Sequence, residues 1–135
     1  PDKNLELADV GLAVAADRGC LRCHTIDGTA HIFAAGQTVA ITTIEYEPGA
    51  VSDLRNAIRR LAPDGLDYEH NAAWGDGNGR SHIRASLLGP DLTVPVRSGR
   101  LLLGTWQQIV LVELDLRGRS RTVHLTVAGS GAGKN

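Results

Sequence analysis

Residues 38–49 read Thr-Val-Ala-Ile-Thr-Thr-Ile-Glu-Tyr-Glu-Pro-Gly, and this stretch decides how the rest of the chain is interpreted. Its first nine residues are dense in β-branched side chains, a composition that predicts a strand. Glu47-Pro48-Gly49 then breaks the strand. Beyond the break, apolar side chains recur at helical spacing, at Val51, Leu54, Ile58 and Leu61. That spacing predicts an amphipathic helix, which ends at Pro63-Asp64-Gly65.

The remaining elements are predicted outward from this strand and helix. Residues 66–79 form a long polar loop, of a length that is usually functional or mobile. We expect one short helix over 81–88 and strands over the ranges 92–96, 100–103, 107–114 and 122–127. Neither a repeat nor a linker divides the chain, so we expect a single domain over 1–129. A Gly-rich flexible tail is expected over 130–135.

Composition excludes several classes of partner. The 135 residues carry a formal net charge of −1, with 21% charged and 42% hydrophobic residues. This balance gives no electrostatic footprint for nucleic acid. No apolar run approaches the roughly 20 residues that span a bilayer. We therefore expect neither nucleic-acid binding nor a membrane span.

Both cysteines lie in one short motif, Cys20-Leu21-Arg22-Cys23-His24. Cys-x-x-Cys-His is typical of c-type haem attachment, with the thiols bonded to the haem and His24 as proximal iron ligand. Residues 10–31 also resemble the first helix and haem loop of class I cytochromes c. We therefore predict a haem-attachment helix and loop over 5–31, with the helix over 5–18. A redox CxxC pair, half of a zinc site and two buried thiols are the alternatives.

The rest of the haem site is less determined. The chain contains no Met, so the sixth iron ligand would be a histidine, a group from a neighbouring chain, water or nothing. His31 is the nearest candidate distal ligand in sequence. The chain begins at Pro1, which suggests a cleaved export signal or a shortened chain. Because covalent haem attachment normally occurs outside the cytoplasm, we expect a periplasmic or extracellular protein.

Most of the remaining chain resembles a known family. The segments that carry the resemblance are TTIEYEPG at 42–49, EHN at 69–71, WGDGNG at 74–79, SHIRASLLG at 81–89, TVPV at 93–96 and GTWQ at 104–107. In order and spacing they resemble the YjbQ family over about residues 33–129. The resemblance implies an α+β fold, an antiparallel β-sandwich with two or three helices that associates as a trimer. It also implies a thiamine phosphate synthase-like activity.

The resemblance further implies a site between subunits. Family members commonly carry a histidine at the position of Gly36, which with the histidines matching His70 and His82 would bind a metal or a phosphate. Only His70 and His82 are present here, and a divalent metal is expected at this pair. The candidate catalytic pocket comprises His70, His82, Glu45, Asp76, Asn78 and Ser86, with Arg84 and Gln107 as candidate anion ligands. A buried polar network is the alternative interpretation.

Three functions follow from these patterns. The favoured one is an exported mono-haem electron-transfer protein on a YjbQ-like scaffold, either a carrier with a redox partner protein or a polymer that stacks haems. The second is a YjbQ-like enzyme in which the CxxCH motif is incidental. The third is an oligomer that binds or senses a gas at the haem. Trp74 and Trp106 are expected either to wall a pocket or to pack in the core.

Overall fold

The computed structural model of the chain describes residues 6–9 and 26–131. The first half of this part contains β1 (Glu6–Asp9), β2 (Ile26–Ala35), β3 (Val39–Ile44), α1 (Pro48–Leu61) and α2 (Glu69–Trp74). The second half contains α3 (Gly79–Leu88), β4 (Asp91–Arg97), β5 (Arg100–Leu101), β6 (Gln108–Glu113) and β7 (Thr122–Gly131). The expected α+β fold with antiparallel sheets is confirmed, and the described residues contain three helices, where two or three were expected.

The strands form two antiparallel sheets. One has the order β1-β6-β3 and the other the order β5-β4-β2-β7. In the central pairing of the second sheet, Ile32 of β2 lies between Leu92 of β4 and Leu125 of β7. Strand β2 is therefore paired along both of its edges.

Two apolar cores define three layers. On one face of the β1-β6-β3 sheet, Ala40 and Val110 pack with Ile58 of α1 and Ala85 of α3. The alternate residues of the same strands pack against the second sheet, in a cluster that contains Ile41, Ile109, Ile32 and Val94. Because side chains alternate along a strand, the three-stranded sheet lies between the helices and the other sheet.

Helix α1 begins where the sequence predicts a break. The carboxylate of Glu47 accepts hydrogen bonds from the backbone N–H groups of Gly49 (2.8 Å) and Ala50, and Pro48 stands in the first turn, where its missing N–H costs nothing. These two hydrogen bonds lower the pKa of Glu47. The change from strand to helix between residues 44 and 48 therefore follows from the Glu47 hydrogen bonds and the position of Pro48.

The N-terminal prediction is wrong where the structure describes it. Residues Glu6–Asp9, expected in a helix over 5–18, form a strand that pairs antiparallel with β6, with Leu7 opposite Val112. Pairing with the edge of β6 overrides the local helix preference. The predicted haem loop, expected to follow this helix as far as residue 31, is also too long, because β2 begins at Ile26.

The other differences are smaller. The loop predicted over 66–79 contains the short helix α2. At the other end, β7 continues to Gly131, with Ser130 opposite Asp27, so the expected tail contributes two residues to the sheet. None of the helices in the described part of the chain has the length and apolar content that crossing a bilayer requires.

Candidate metal centre

Three predicted site residues meet at the junction of α2 and α3. His70 belongs to α2, His82 to the first turn of α3, and Asp76 to the turn between the helices. One ligand atom from each lies within 4.8 Å of those of the other two. The rings of His70 and His82 have centroids 4.4 Å apart and are tilted by 55°. Within the described residues, this is the cluster of histidine and acidic side chains that could hold a metal ion.

The turn between the helices aims Asp76 at the histidines. Gly75 ends α2 with a left-handed backbone (φ 68°), which favours glycine. The Oδ1 atom of Asp76 accepts a hydrogen bond from the backbone N–H of Asn78 at 3.0 Å. Its Oδ2 atom lies 3.3 Å from Nε2 of His70. One carboxylate oxygen thus fixes the turn while the other faces the imidazole.

A second polar contact joins the two helices. The side-chain oxygen of Asn71 accepts a hydrogen bond from the backbone N–H of Gly79 at 2.8 Å. A Cβ atom at Gly79 would lie 2.6 Å from Cβ of Tyr68, so this close approach requires glycine. This role of Asn71 was not predicted from the sequence. The available signal was its place beside His70 in the segment EHN.

The carboxylate of Asp76 is held in its charged form. The hydrogen bond from the Asn78 backbone is the main cause that lowers its pKa, and the imidazole of His70 adds to this effect. A lowered pKa leaves the group ionised at neutral pH. The side chains of His70 and Asp76 are 34% and 46% exposed, so small solutes can reach the cluster.

Two buried polar atoms lie beside the cluster at the start of α3. Oδ1 of Asn78 and Oγ of Ser81 are buried and have no hydrogen-bond partner among the described residues. Buried polar atoms are normally paired, so each unpaired one calls for an explanation. Asn78 directly precedes α3 and Ser81 lies in its first turn, so both belong to the segment that carries His82.

Comparison with known proteins assigns the chain to a family. A sequence model described as "UPF0047 protein YjbQ-like" matches residues 14–130. The chain belongs to the YjbQ family. A UPF0047 protein of Methanothermobacter thermautotrophicus is 38% identical over 128 residues, covering 94% of this chain and 85% of that protein. The YjbQ protein of Salmonella typhimurium is 36% identical over 103 residues, covering 76% of this chain and 74% of that protein.

Solved structures support the same assignment. A YbjQ-like protein of unknown function from Sulfolobus solfataricus superposes with a TM-score of 0.82 and 32% identity, covering 95% of this chain and 90% of that chain. A YjbQ/UPF0047 family protein from Clostridium acetobutylicum superposes with a TM-score of 0.77 and 27% identity, covering 95% of each chain. The trimer expected from the family resemblance and the redox partner stay predictions.

The family assignment overturns the favoured function. The match begins at residue 14 and therefore includes the CxxCH segment, and β2 of the family fold begins two residues after His24. None of the relatives named above is described as a haem protein, an electron carrier or a secreted protein. The prediction of an exported electron-transfer cytochrome is wrong. Cys20, Cys23 and His24 lie outside the described residues, so haem attachment there stays a prediction.

Other predicted site residues lie outside the cluster. Ser86 donates its hydroxyl hydrogen bond to the backbone oxygen of His82, Glu45 is exposed just beyond the end of β3, and Gln107 donates to Thr43 Oγ1. Arg84 is buried, and its Nε and Nη2 atoms donate to the carbonyl of Ala62. Its guanidinium is thus hydrogen-bonded to the end of α1, which disfavours the predicted role of Arg84 as an anion ligand.

The candidate distal haem ligand has a different partner. His31 lies in β2, and its Nε2 atom is 2.8 Å from Oδ2 of Asp91 on β4. Trp74 and Trp106 are 76% and 67% exposed, which excludes core packing for both. Only Trp74 belongs to an element that also carries a member of the cluster.

At Gly36, where the family resemblance implies a histidine in other members, another side chain fills the space. A Cβ atom there would lie 2.9 Å from Nη1 of Arg121. Gly36 also has a φ of 151°, a conformation that L side chains rarely adopt. The site in this chain is therefore built without a third histidine.

Proposed function

We propose that this protein binds a divalent transition-metal ion through His70, Asp76 and His82 and keeps a coordination position open for a small ligand. The observation that carries the proposal is the convergence of three ligand atoms within 4.8 Å. These atoms come from two helices and the turn that joins them. The contacts that place them run through the side chain of Asn71 and the backbone of Asn78.

The set of donor atoms favours particular metals. Two imidazole nitrogens and one carboxylate oxygen suit Zn²⁺ and its first-row neighbours better than Mg²⁺ or Ca²⁺. Three protein ligands in a tetrahedral site leave a fourth position for water or substrate, as in catalytic zinc centres. A metal ion held there would polarise an oxygen ligand or lower the pKa of bound water.

The chain's own residues prepare the site for a cation. Asp76 supplies a carboxylate that is already ionised, because the backbone of Asn78 stabilises its charged form. Asn71 holds the start of α3 against α2 and so fixes the separation between His70 and His82. Contacts of this kind around a metal site orient its ligands and commonly change metal affinity by roughly 10- to 100-fold.

Zinc titration by calorimetry tests the proposal. The full chain should carry Cys20→Ser and Cys23→Ser, so that thiols cannot bind the metal. We expect one Zn²⁺ per chain, and His82→Ala should weaken binding by more than about 100-fold, because it removes a direct ligand rather than a supporting contact.

His31→Ala is the matched control, since His31 also faces a single carboxylate, that of Asp91 at 2.8 Å. Its zinc affinity should equal that of the parent. Equal weakening by His31→Ala and His82→Ala, or no saturable zinc binding by the parent, would contradict the proposal.

A further inference from the structure

Trp74 is unusually exposed for a tryptophan. Its side chain is 76% exposed, the largest value among the large hydrophobic side chains of the described residues. It makes no ring contact with another aromatic side chain of the described part of the chain. Tryptophan normally contributes a large buried area, so the protomer alone gives this side chain no structural role.

The position of Trp74 connects it with the metal cluster. It follows His70 by four residues within α2, and residues four apart lie on the same helix face with Cβ atoms about 6 Å apart. It also precedes Asp76 by two residues, with only Gly75 between them. The indole is thus attached to the backbone between two of the three candidate metal ligands.

The residues that flank Trp74 in the chain favour a small ligand over a protein partner. Ala72, Ala73, Gly75 and Asp76 are exposed and are small or charged, so they extend no apolar patch along this segment. A stable protein interface needs about 800 Å² from each partner. A tryptophan supplies only about 150–250 Å², which suits the stacking of one planar ring.

We infer that Trp74 forms a wall of the ligand site and that the site takes a flat aromatic molecule carrying an anionic group. The anionic group would occupy the open position at the metal ion while the ring stacks on the indole. Aromatic pairs gain from offset or edge-to-face contact beyond the area they bury. This role of Trp74 rests on the proposed metal function. It defines the class of ligand that the metal site would take.

Benzoate and cyclohexanecarboxylate are suitable probes, because they share a carboxylate and differ in whether the ring is aromatic. The zinc-loaded full chain should carry Cys20→Ser, Cys23→Ser and Trp106→Phe. The chain has two tryptophans, so fluorescence then reports Trp74 alone. We expect benzoate to quench this fluorescence and to bind roughly 2- to 10-fold more tightly than cyclohexanecarboxylate.

Trp74→Ala should abolish the preference for benzoate and leave zinc affinity unchanged, with binding followed by calorimetry. Trp106→Ala in the Cys20→Ser, Cys23→Ser chain is the matched control, because it truncates the other exposed tryptophan and should keep the preference. A preference that survives Trp74→Ala would overturn the inference while leaving the metal proposal intact. A changed molar mass of Trp74→Ala in light scattering would also overturn it, by assigning Trp74 to a subunit interface.

The zinc titration of the parent precedes the addition of either carboxylate. Absence of zinc binding at that step would overturn the proposed function and, with it, the role of Trp74. Zinc binding followed by equal affinity for the two carboxylates would overturn only the role of Trp74.

Discussion

Asp76 uses its two carboxylate oxygens for different purposes. Oδ1 accepts the hydrogen bond from the Asn78 backbone, and Oδ2 lies 3.3 Å from the imidazole of His70. The first contact is the main reason that the pKa of Asp76 is lowered. The carboxylate therefore loses its proton at a pH below its ordinary titration range, which lies near pH 4. It is fully charged at neutral pH.

Zinc affinity should consequently depend on pH through the histidines. Imidazole binds a metal only in its neutral form, so protons compete with the metal ion for both histidines. Acidification should weaken zinc affinity by up to about 100-fold per pH unit, because two protons compete with one metal ion. Asp76 adds no dependence near neutral pH. Competition with a chromophoric chelator between pH 5 and pH 7.5, in the Cys20→Ser, Cys23→Ser background, measures the slope.

His82→Ala should halve this slope, because one imidazole remains at the site. His31→Ala should keep the full slope, since His31 pairs with Asp91 on the sheet and not with the cluster. An identical slope for His82→Ala and the parent would show that the zinc ligands are other residues.

Residue type indicated only part of the site. His70, Asp76 and His82 are three of the six residues predicted for the pocket, and the structure brings these three together. Ser86 follows His82 by one helical turn, yet its hydroxyl bonds to the helix backbone, an option that serine always has within a helix. The supporting role of Asn71 depends on how closely α2 and α3 approach, and residue spacing does not encode that distance.

Helix α3 is fixed to the core by an arginine that fastens the end of α1. Arg84 is 1% exposed, and its Nε and Nη2 atoms donate to the Ala62 carbonyl at 3.0 and 2.7 Å. Nη2 also lies 2.8 Å from Oδ1 of Asp64. The last carbonyls of a helix lack partners within the helix. Arg84 supplies one and thereby couples α1 to the helix that carries His82.

Arg84→Met tests this coupling, because methionine keeps an unbranched apolar stem and removes the donors. We expect the free energy of unfolding to fall by about 3 kcal/mol, since a buried carbonyl and a carboxylate lose a charged partner. Arg80→Met removes only the Nε contact with Asp64, at 2.7 Å. It should cost about 1 kcal/mol or less. Urea unfolding followed by circular dichroism measures both, and equal losses would contradict the special role of Arg84.

The elements that the sequence predicted well have strong periodicity. Helix α1 and strand β3 agree with their predicted ranges to within about three residues, because an amphipathic or β-branched pattern requires burial of one face. Helix α2 was missed because six residues contain too little periodic pattern. Strand β1 was mistaken for a helix because its pairing with β6 is a tertiary contact. The local sequence of a segment does not show which strand edge that segment will pair with.

At the scale of the whole molecule, one cluster of charged groups joins the two sheets. Glu113 ends β6, Thr38 precedes β3 and Arg121 precedes β7. Nε of Arg121 lies 2.7 Å from Oε2 of Glu113, and its Nη2 donates to Thr38 Oγ1 at 2.8 Å. Contact with Glu113 raises the pKa of Arg121. Asp115 completes the cluster by accepting from Arg119 and Thr38, each at 2.8 Å.

Asp115 should make the stability of the fold sensitive to acid. Burial raises its pKa, but hydrogen bonds from Arg119 and Thr38 outweigh this effect and hold the pKa well below its usual range. In the unfolded chain the group titrates near pH 3.9. A depressed folded pKa means that Asp115 stabilises the fold fully above about pH 5 and loses this contribution as the pH falls below about 4.

Asp115→Asn should therefore lower the free energy of unfolding by about 3 kcal/mol at pH 7, because it leaves buried arginine charge unbalanced. The difference from the parent should shrink at pH 3.5, where the unfolded parent binds a proton that its folded form excludes. Asp91→Asn is the matched control, since its carboxylate is about half exposed and faces only His31; it should cost less than about 1 kcal/mol. Urea unfolding at pH 7, 5 and 3.5 measures these differences. A gap between Asp115→Asn and the parent that stayed constant with pH would assign the loss to packing and not to the charge of Asp115.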